Sequence, residues 1–510
     1  MSIAPVRRLL LRFCALLLLL VVCPFAATMD ADRMDALVAQ GMTDWGIPGI
    51  AVAVIEGNEL VYAKGFGSTA VDDGAPVDVH TPFANASTTK AMVAAGVLVL
   101  VDEGRLSLDD PIVRWLPEVR FADPALTPGI TVRDLLTHRT GLPSTDFTIF
   151  AQGMPLAMQI PLMAQLEPVA APRSRHIYHN GMYDLAGLVI ERASGQSWPS
   201  FVAERLWRPI GMDETWSKLG AISKEGPNAR RPARPHDEVR GVLRLIDHSL
   251  LPEMDNAAGS VWSTVSDMMK WAQFLLAGGV TTDGTRLLSE AAITEMFQPQ
   301  NLIDPERFFP GARLTDPNWT SYGLGWFQQD FQGRKIDFHT GSLNGFVAML
   351  GLDRAAGRAM VVMANREGAQ LRHALLWEVM DDRSASDRPD WSAEVVALYE
   401  ERRSKSDEAW REIADGRIPD APPTLPLAAY AGTFESARSG PLTLSQQGSE
   451  LTLNTRVRRH RLTPWHADTF LLMHADWNRG GFARFLLSPK GEVEAIECFG
   501  DRFDRVDAHD

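Results

Sequence analysis

The sequence predicts an α+β domain, helices packed on an antiparallel sheet, followed by a small all-β unit. Three observations carry that reading. β-Rich runs stand near both ends of the first large segment, with helical patterns between them. At 510 residues the chain is longer than one hydrophobic core usually supports. From about residue 386 the texture changes, and a charge-rich helix and a proline-rich stretch lead into short alternating segments.

The first 27 residues read as a secretory signal. Arg7, Arg8 and Arg12 give a positive start, Phe13 to Val22 is almost unbroken apolar sequence, and Ala26 and Ala27 offer a cleavage site. The apolar run is shorter than the roughly 18 residues a spanning helix needs, so export is expected, with an uncleaved membrane anchor as the alternative. Cleavage removes three arginines and no acid, which takes the formal net charge from -14 to -17. That balance leaves no basic surplus to neutralise phosphates and excludes nucleic acid as a partner. Of three cysteines only Cys498 remains, so neither an intrachain disulfide nor a Cys-rich metal site is expected. The twelve histidines are scattered, with no His-Glu-x-x-His helix. The sequence calls for no metal and no cofactor.

Along the chain, residues 47–67 hold two apolar β-rich runs around Gly57-Asn58, a hairpin signal. Residues 91–104 are apolar on all sides, as in a helix buried all round. Residues 131–143 predict a short helix with Thr131 as N-cap, Asp134 three residues on, and Gly141-Leu142-Pro143 as its stop. Residues 260–279 repeat the pattern, with Ser263 or Thr264 as cap and a closing Gly pair. Residues 346–366 read as two strands around Arg354-Ala355-Ala356-Gly357. A helix over 394–416 and the proline-rich 418–426 follow. Beyond them two alternating segments flank Gln447-Gly448-Ser449, and three further β-like runs reach residue 507.

Three short motifs have the residue types of acyl-transfer chemistry. Ser87 and Lys90, three apart at a helix start, share one face. The helix N-terminus favours developing negative charge, and burial lets a lysine give up its proton near neutral pH. Chance spacing or a serine that merely caps the helix is the plain alternative. Tyr178 and Asn180 would put a phenol and an amide on one loop, the phenol to relay protons and the amide to orient substrate or Lys90; a core tyrosine is the alternative. His339-Thr340-Gly341-Ser342 stands before a strand. Gly341 would let a substrate backbone lie along that edge, and the N–H of Ser342 would complete an oxyanion hole with that of Ser87. A glycine-rich turn with a surface histidine is the alternative there.

In this order and at intervals of about 90 and 160 residues, the motifs Ser87-x-x-Lys90, Tyr178-x-Asn180 and His339-x-Gly341 resemble the serine β-lactamase and penicillin-recognising superfamily, in its class C-like branch. The phrases GRLSLDDPIVRWLPE, TVRDLLTHRTGLPS and YGLGWF strengthen the resemblance, which covers about residues 30–385. It implies a β-lactamase/transpeptidase-like fold over 28–385. A helix and linker over 386–424 then lead to a lipocalin-like β-barrel over 425–510, as in CubicO-type peptidases. It implies Ser87 as the nucleophile of an acyl-enzyme, with Lys90 and Tyr178 sharing the proton transfers in an order left open. Asn180, His339, Thr340 and Gly341 would bind and orient substrate, and the backbone N–H groups of Ser87 and Ser342 would hold the oxyanion. A Gly-x-Ser-x-Gly elbow is absent.

One departure matters. β-Lactamases and many D-Ala-D-Ala peptidases of the superfamily carry Lys where this chain has His339, and a histidine is mostly neutral above about pH 6.5. Efficient penicillin hydrolysis is therefore not expected. The resemblance to family members with histidine here, and to CubicO-type peptidases that share the appended β domain, implies hydrolysis of small peptides or amides, D-residues included, by an aminopeptidase or carboxypeptidase. A carboxylesterase or weak β-lactamase is the nearby alternative, and an acylated sensor without turnover is the alternative of another class. The partner is a small-molecule or short-peptide substrate. Membrane association through the N-terminus, a homo-oligomer, and a role for the β unit as cap or as lipid or glycan binder stay open.

Overall fold

The computed structural model describes residues 30–144, 156–222, 230–239, 241–246, 256–456, 458–474 and 480–506. The expected signal segment lies outside them. The first body is built on an antiparallel sheet of eight strands: β1 (Gly49–Glu56), β2 (Glu59–Gly67), β3 (Asn301–Leu302), β4 (Thr320–Tyr322), β5 (Phe327–Phe331), β6 (Arg334–Leu343), β7 (Phe346–Asp353) and β8 (Arg358–Ala364), in the order β2-β1-β8-β7-β6-β5-β4-β3. β1 and β2 form the expected hairpin across Gly57-Asn58. β1 also pairs with β8, Ile50 opposite Ala364, so the two ends of the domain meet inside the sheet, one strand in from its edge.

Side chains along a strand alternate between faces, and β1 divides accordingly. Ile50, Val52 and Val54 join one apolar layer, with α1 (Ala31–Trp45) and the two helices after β8. Ala51, Ala53 and Ile55 join the other, a larger helical layer. At the heart of that larger layer lies α2 (Thr89–Asp102), whose residues from Thr89 to Leu100 are all buried, as its unbroken apolar sequence requires. Around it stand α3 (Val132–Leu136), α4 (Asn180–Ser194) and α5 (Val265–Leu276). α3 opens with a capping box between Thr131 and Asp134, and α5 with Thr264, not Ser263, accepting from Asp267 N–H.

After β8 come α6 (Leu371–Met380) and α7 (Trp391–Asp415). α7 begins three residues earlier than its charge pattern suggests, because Trp391, Val395 and Leu398 are buried, with Trp391 and Val395 in the apolar layer of the first body. Its far end meets the second body, where the Trp410 and Phe482 rings stack with centroids 5.8 Å apart.

The second body is a closed antiparallel barrel of eight strands in sequence order, sealed where Thr433 pairs with Val506. The alternation in the sequence accounts for five strands, three too few. Segments such as Arg459–His466 and Asp501–Val506 bury only every second residue at most, and arginines and acids on the outer face mask the pattern. The interior is filled by side chains, Tyr430, Phe434, Phe470, Phe485 and Phe503 among them, as in a barrel of this strand number.

Candidate active site

Ser87 lies in a single 3-10 turn, Ala86–Thr88, which runs straight into α2. The residue before it, Ala86, is buried with φ at +48°, a left-handed backbone that a residue with a Cβ adopts only under constraint. Two glycines press close, Gly341 on this turn and Gly325 on the start of α2. A Cβ on Gly341 would stand 2.2 Å from Asn85 O, and one on Gly325, of the YGLGWF phrase, 3.0 Å from Ala91 N. The close approach that Gly341 permits is thus to the turn that carries Ser87, where the sequence suggested a substrate backbone.

Lys90, fully buried, reaches back along the helix. Its Nζ lies 3.2 Å from Ser87 Oγ, 2.7 Å from Asn180 Oδ1 and 2.7 Å from the carbonyl of Ala258. These three neighbours are neutral. The ring of Tyr178 has its centroid 4.9 Å from the same nitrogen. Tyr178 and Asn180 do not share a loop: Asn180 is the first residue of α4, because the extended backbone of His179 occupies the N-cap position.

The segment carrying Tyr178 is clamped by His138. The N–H of Ile177 donates to His138 O at 2.9 Å, and that of His179 to His138 Nδ1 at 3.1 Å, which brackets Tyr178 between two bonds to one residue. The His138 ring lies 4.3 Å from the Tyr178 ring, and its backbone is left-handed, φ +56°. Ala258 is held in turn by Asp184 on α4, which accepts from Ala258 N at 3.2 Å and from Asn256 Nδ2 at 2.9 Å. Burial raises the Asp184 carboxyl to about 7, opposed by those hydrogen bonds and by Lys90.

His339, Thr340, Gly341 and Ser342 are part of β6 and do not form a turn before a strand. They pair with β7, His339 opposite Leu350, and the turn follows at Asn344-Gly345. The glycine and serine imitate a loop, but Gly341 is there for contact. Pairing with β5 stops at Phe338, so 339–343 keep one edge without a neighbouring strand. His339 is 1% exposed and not a surface residue. With Nδ1 2.7 Å from Thr340 O, that nitrogen carries the proton, and Nε2 then accepts from Tyr322 Oη at 2.9 Å. Burial foremost, with Lys90 nearby, lowers the imidazole to about 3, so it is neutral at any ordinary pH.

Two hollows meet at Ser87. One, of about 590 Å3, is lined by Tyr178, His339, Thr340 and the aromatic rings of Phe308, Phe309 and Phe327. The other, a slot of about 30 Å3, is lined by Ala258, Trp262 and Leu343. Ser87, Asn180 and Ser342 belong to both. A carbonyl placed at that junction meets a hydroxyl, a buried amine and the open edge of β6 together. His138, Asp184 and Ala258 were not singled out in the sequence. His138 stands in the phrase TVRDLLTHRTGLPS, where it reads as a helix end, and Ala258 follows a stretch without periodicity.

Comparison with known proteins agrees with this architecture. Residues 34–384 match the Beta-lactamase family, and residues 416–508 match a domain of unknown function, DUF3471. The unguisins hydrolase ungD of Aspergillus violaceofuscus is 28% identical over 511 residues, covering 92% of this chain and 87% of that protein. Among solved structures, the octameric penicillin-binding protein homologue from Pyrococcus abyssi shares the fold with a TM-score of 0.58 at 20% identity, over 93% of this chain and 99% of that one. A D-stereospecific amidohydrolase from Streptomyces sp. does so with a TM-score of 0.55 at 22% identity, over 70% and 100%. Through residues 34–384 the chain belongs to the Beta-lactamase family of serine hydrolases.

Proposed function

We propose that this hydrolase cleaves amide bonds of small peptides or amino-acid amides through an acyl-enzyme on Ser87. The observation that carries the reading is the surroundings of Lys90 Nζ. Lys90 Nζ is held by Asn180 Oδ1 and Ala258 O at 2.7 Å each and stands 3.2 Å from Ser87 Oγ, so that in the reacting form, as the free amine, it can receive the Ser87 proton. Ser87 Oγ attacks the substrate carbonyl as its proton passes to Lys90. The backbone N–H groups of Ser87 and Ser342 take the oxyanion. Tyr178, beside Lys90, hands a proton to the departing amine. Water then attacks the ester by the reverse path, its proton leaving through the same pair, and frees Ser87.

The neutral state of His339 bears on substrate class. His339 supplies no fixed cation at its own position, which favours an aminopeptidase or amidase over a β-lactamase, and Arg175 and Arg307, which line the same hollow, are the cations left to meet a substrate carboxylate. The aromatic hollow suits an apolar or aromatic side chain next to the scissile bond. The names of the relatives, an unguisins hydrolase and a D-stereospecific amidohydrolase, point the same way. The reading includes export, on the charge and apolar run of residues 1–27, and the N-terminus of protein recovered from its host tests that part.

The deciding experiment compares a D-alanine p-nitroanilide with a short-chain p-nitrophenyl ester, using Ser87→Ala as control. Anilide turnover that Ser87→Ala abolishes is the expected result. Ester cleavage alone would make the protein an esterase, and Ser87 acylation without turnover would make it a sensor.

A further inference from the structure

The oxyanion donor at Ser342 does not act alone, because its N–H belongs to the peptide unit whose carbonyl is that of Gly341. Arg372, second residue of α6, donates from Nη1 to Gly341 O at 2.5 Å and to Ser342 Oγ at 3.0 Å. It is only 6% exposed, a depth at which a guanidinium is rarely kept without purpose. Among the described residues no carboxylate forms an ion pair with it. Tyr399 and then Glu367 act on its charge from beyond ion-pair distance, and Glu367 spends an oxygen on Gly345 N–H, 2.8 Å away. Burial lowers Arg372 to about 10, which leaves it charged at neutral pH.

We propose that Arg372 is a positioning residue for the reaction: its buried cation polarises the Gly341–Ser342 peptide and fixes the edge of β6, so that the Ser342 N–H is a stronger and better-aimed donor to the oxyanion. The physical basis is cooperative. A charged donor on a peptide carbonyl draws electron density from the nitrogen of the same unit and strengthens the N–H on the far side. The bond to Ser342 Oγ also occupies a lone pair of that hydroxyl, leaving its proton for substrate. No atom of Arg372 is required to touch the reacting carbonyl. The inference rests on the acyl-enzyme reading above.

The test uses the full chain and a boronic acid that forms a tetrahedral adduct on a serine nucleophile. Arg372→Gln keeps an N–H donor but removes the charge, and Arg372→Lys keeps the charge. Expected for Arg372→Gln is a fall in kcat of roughly tenfold or more with KM little changed, and an equal fall in boronate affinity. Arg372→Lys should recover most of both. A folded Arg372→Gln enzyme with undiminished boronate affinity overturns the proposal, whatever its melting temperature. Should Arg372→Gln not fold, Arg372→Lys carries the test: retention of most of kcat and of boronate affinity supports the proposal, and a loss of either by about tenfold or more overturns it. A wild-type protein that neither turns over substrate nor captures boronate through Ser87 removes the acyl-enzyme reading itself, and the role of Arg372 with it.

Discussion

Gly341 and Asn85 touch through a space no side chain can share: a Cβ at 341 would lie 2.2 Å from Asn85 O. This contact seats the end of β6 against the turn that carries Ser87, and so sets the distance between the two proposed oxyanion donors. Gly341→Ala must push strand and turn apart. Displacements near 1 Å at a reacting centre cost about 100-fold in rate, so kcat/KM should fall by at least that, with a lower melting temperature. Steady-state kinetics on the anilide check it, and near-native turnover would sink this account of the contact.

His138 offers a sharper comparison. Its φ of +56° suits asparagine better than most residues, and an asparagine oxygen can accept from His179 N–H as Nδ1 does. His138→Asn should therefore keep more stability than His138→Leu, by about 1–3 kcal/mol for the strain and the lost bond. It should also keep more activity, since Tyr178 stays clamped. Equal losses in the two variants, by urea unfolding and kcat, would mean that only the ring's bulk matters.

Acid should unfold the protein steeply. Burial, first among the causes, holds His138 and His373 well below the usual imidazole range and His339 at about 3. In the unfolded chain each takes up a proton below about pH 6.5, whereas the folded chain leaves it off. Stability is therefore whole above pH 6.5 and lost as pH falls. Asp184 acts in the opposite sense. Raised to about 7, it holds a proton in the folded chain that the unfolded chain has released, so its contribution is present at low pH and is lost as pH rises through 7. For these four groups the balance near pH 5 is about two protons, or roughly 3 kcal/mol per pH unit; His176, lowered to about 4 by burial, adds to it, and Asp337 and Glu367, raised by burial, oppose it. Urea midpoints measured from pH 7 to 5 test the slope, and a flat series would contradict it.

Cys498 supplies a built-in probe of the barrel. It is 4% exposed, and burial pushes its thiol up, so the thiolate needed for reaction is scarce in the folded state. In protein lacking residues 1–27 it is the only cysteine. Labelling by a disulfide reagent should be about a thousandfold slower in native protein than in denatured protein. Labelling at a denaturant concentration that spares anilide turnover would show the barrel opening by itself. Rapid labelling without denaturant would contradict the packing described here.

How much of this was legible in the sequence depended on the range of the contacts involved. The Gly57-Asn58 hairpin, the Thr131–Asp134 box and the buried α2 are local patterns, and the sequence states them directly. Ser87 and Lys90 are neighbours on one helical face, so their 3.2 Å approach follows from spacing alone. The carbonyl of Ala258, 168 residues from Lys90, leaves no periodic trace. Neither does the pairing of His138 with His179, or of Arg372 with Gly341, because each depends on one side chain meeting one backbone atom. Gly341 shows both sides: the motif drew attention to it, but only the fold reveals that its neighbour is Asn85. In the barrel, charged outer faces hid strands whose inward residues alternate correctly.

The pairing of β1 with β8 governs how the chain comes into being. Ile50 cannot find Ala364 until more than 300 further residues have been made. At ordinary rates of synthesis that delay is about 15–60 s. Throughout it β1, with hardly a polar side chain along it, has only β2 as a partner. The nascent chain thus spends most of its synthesis with an apolar strand edge uncovered, and a holding chaperone has its longest opportunity there.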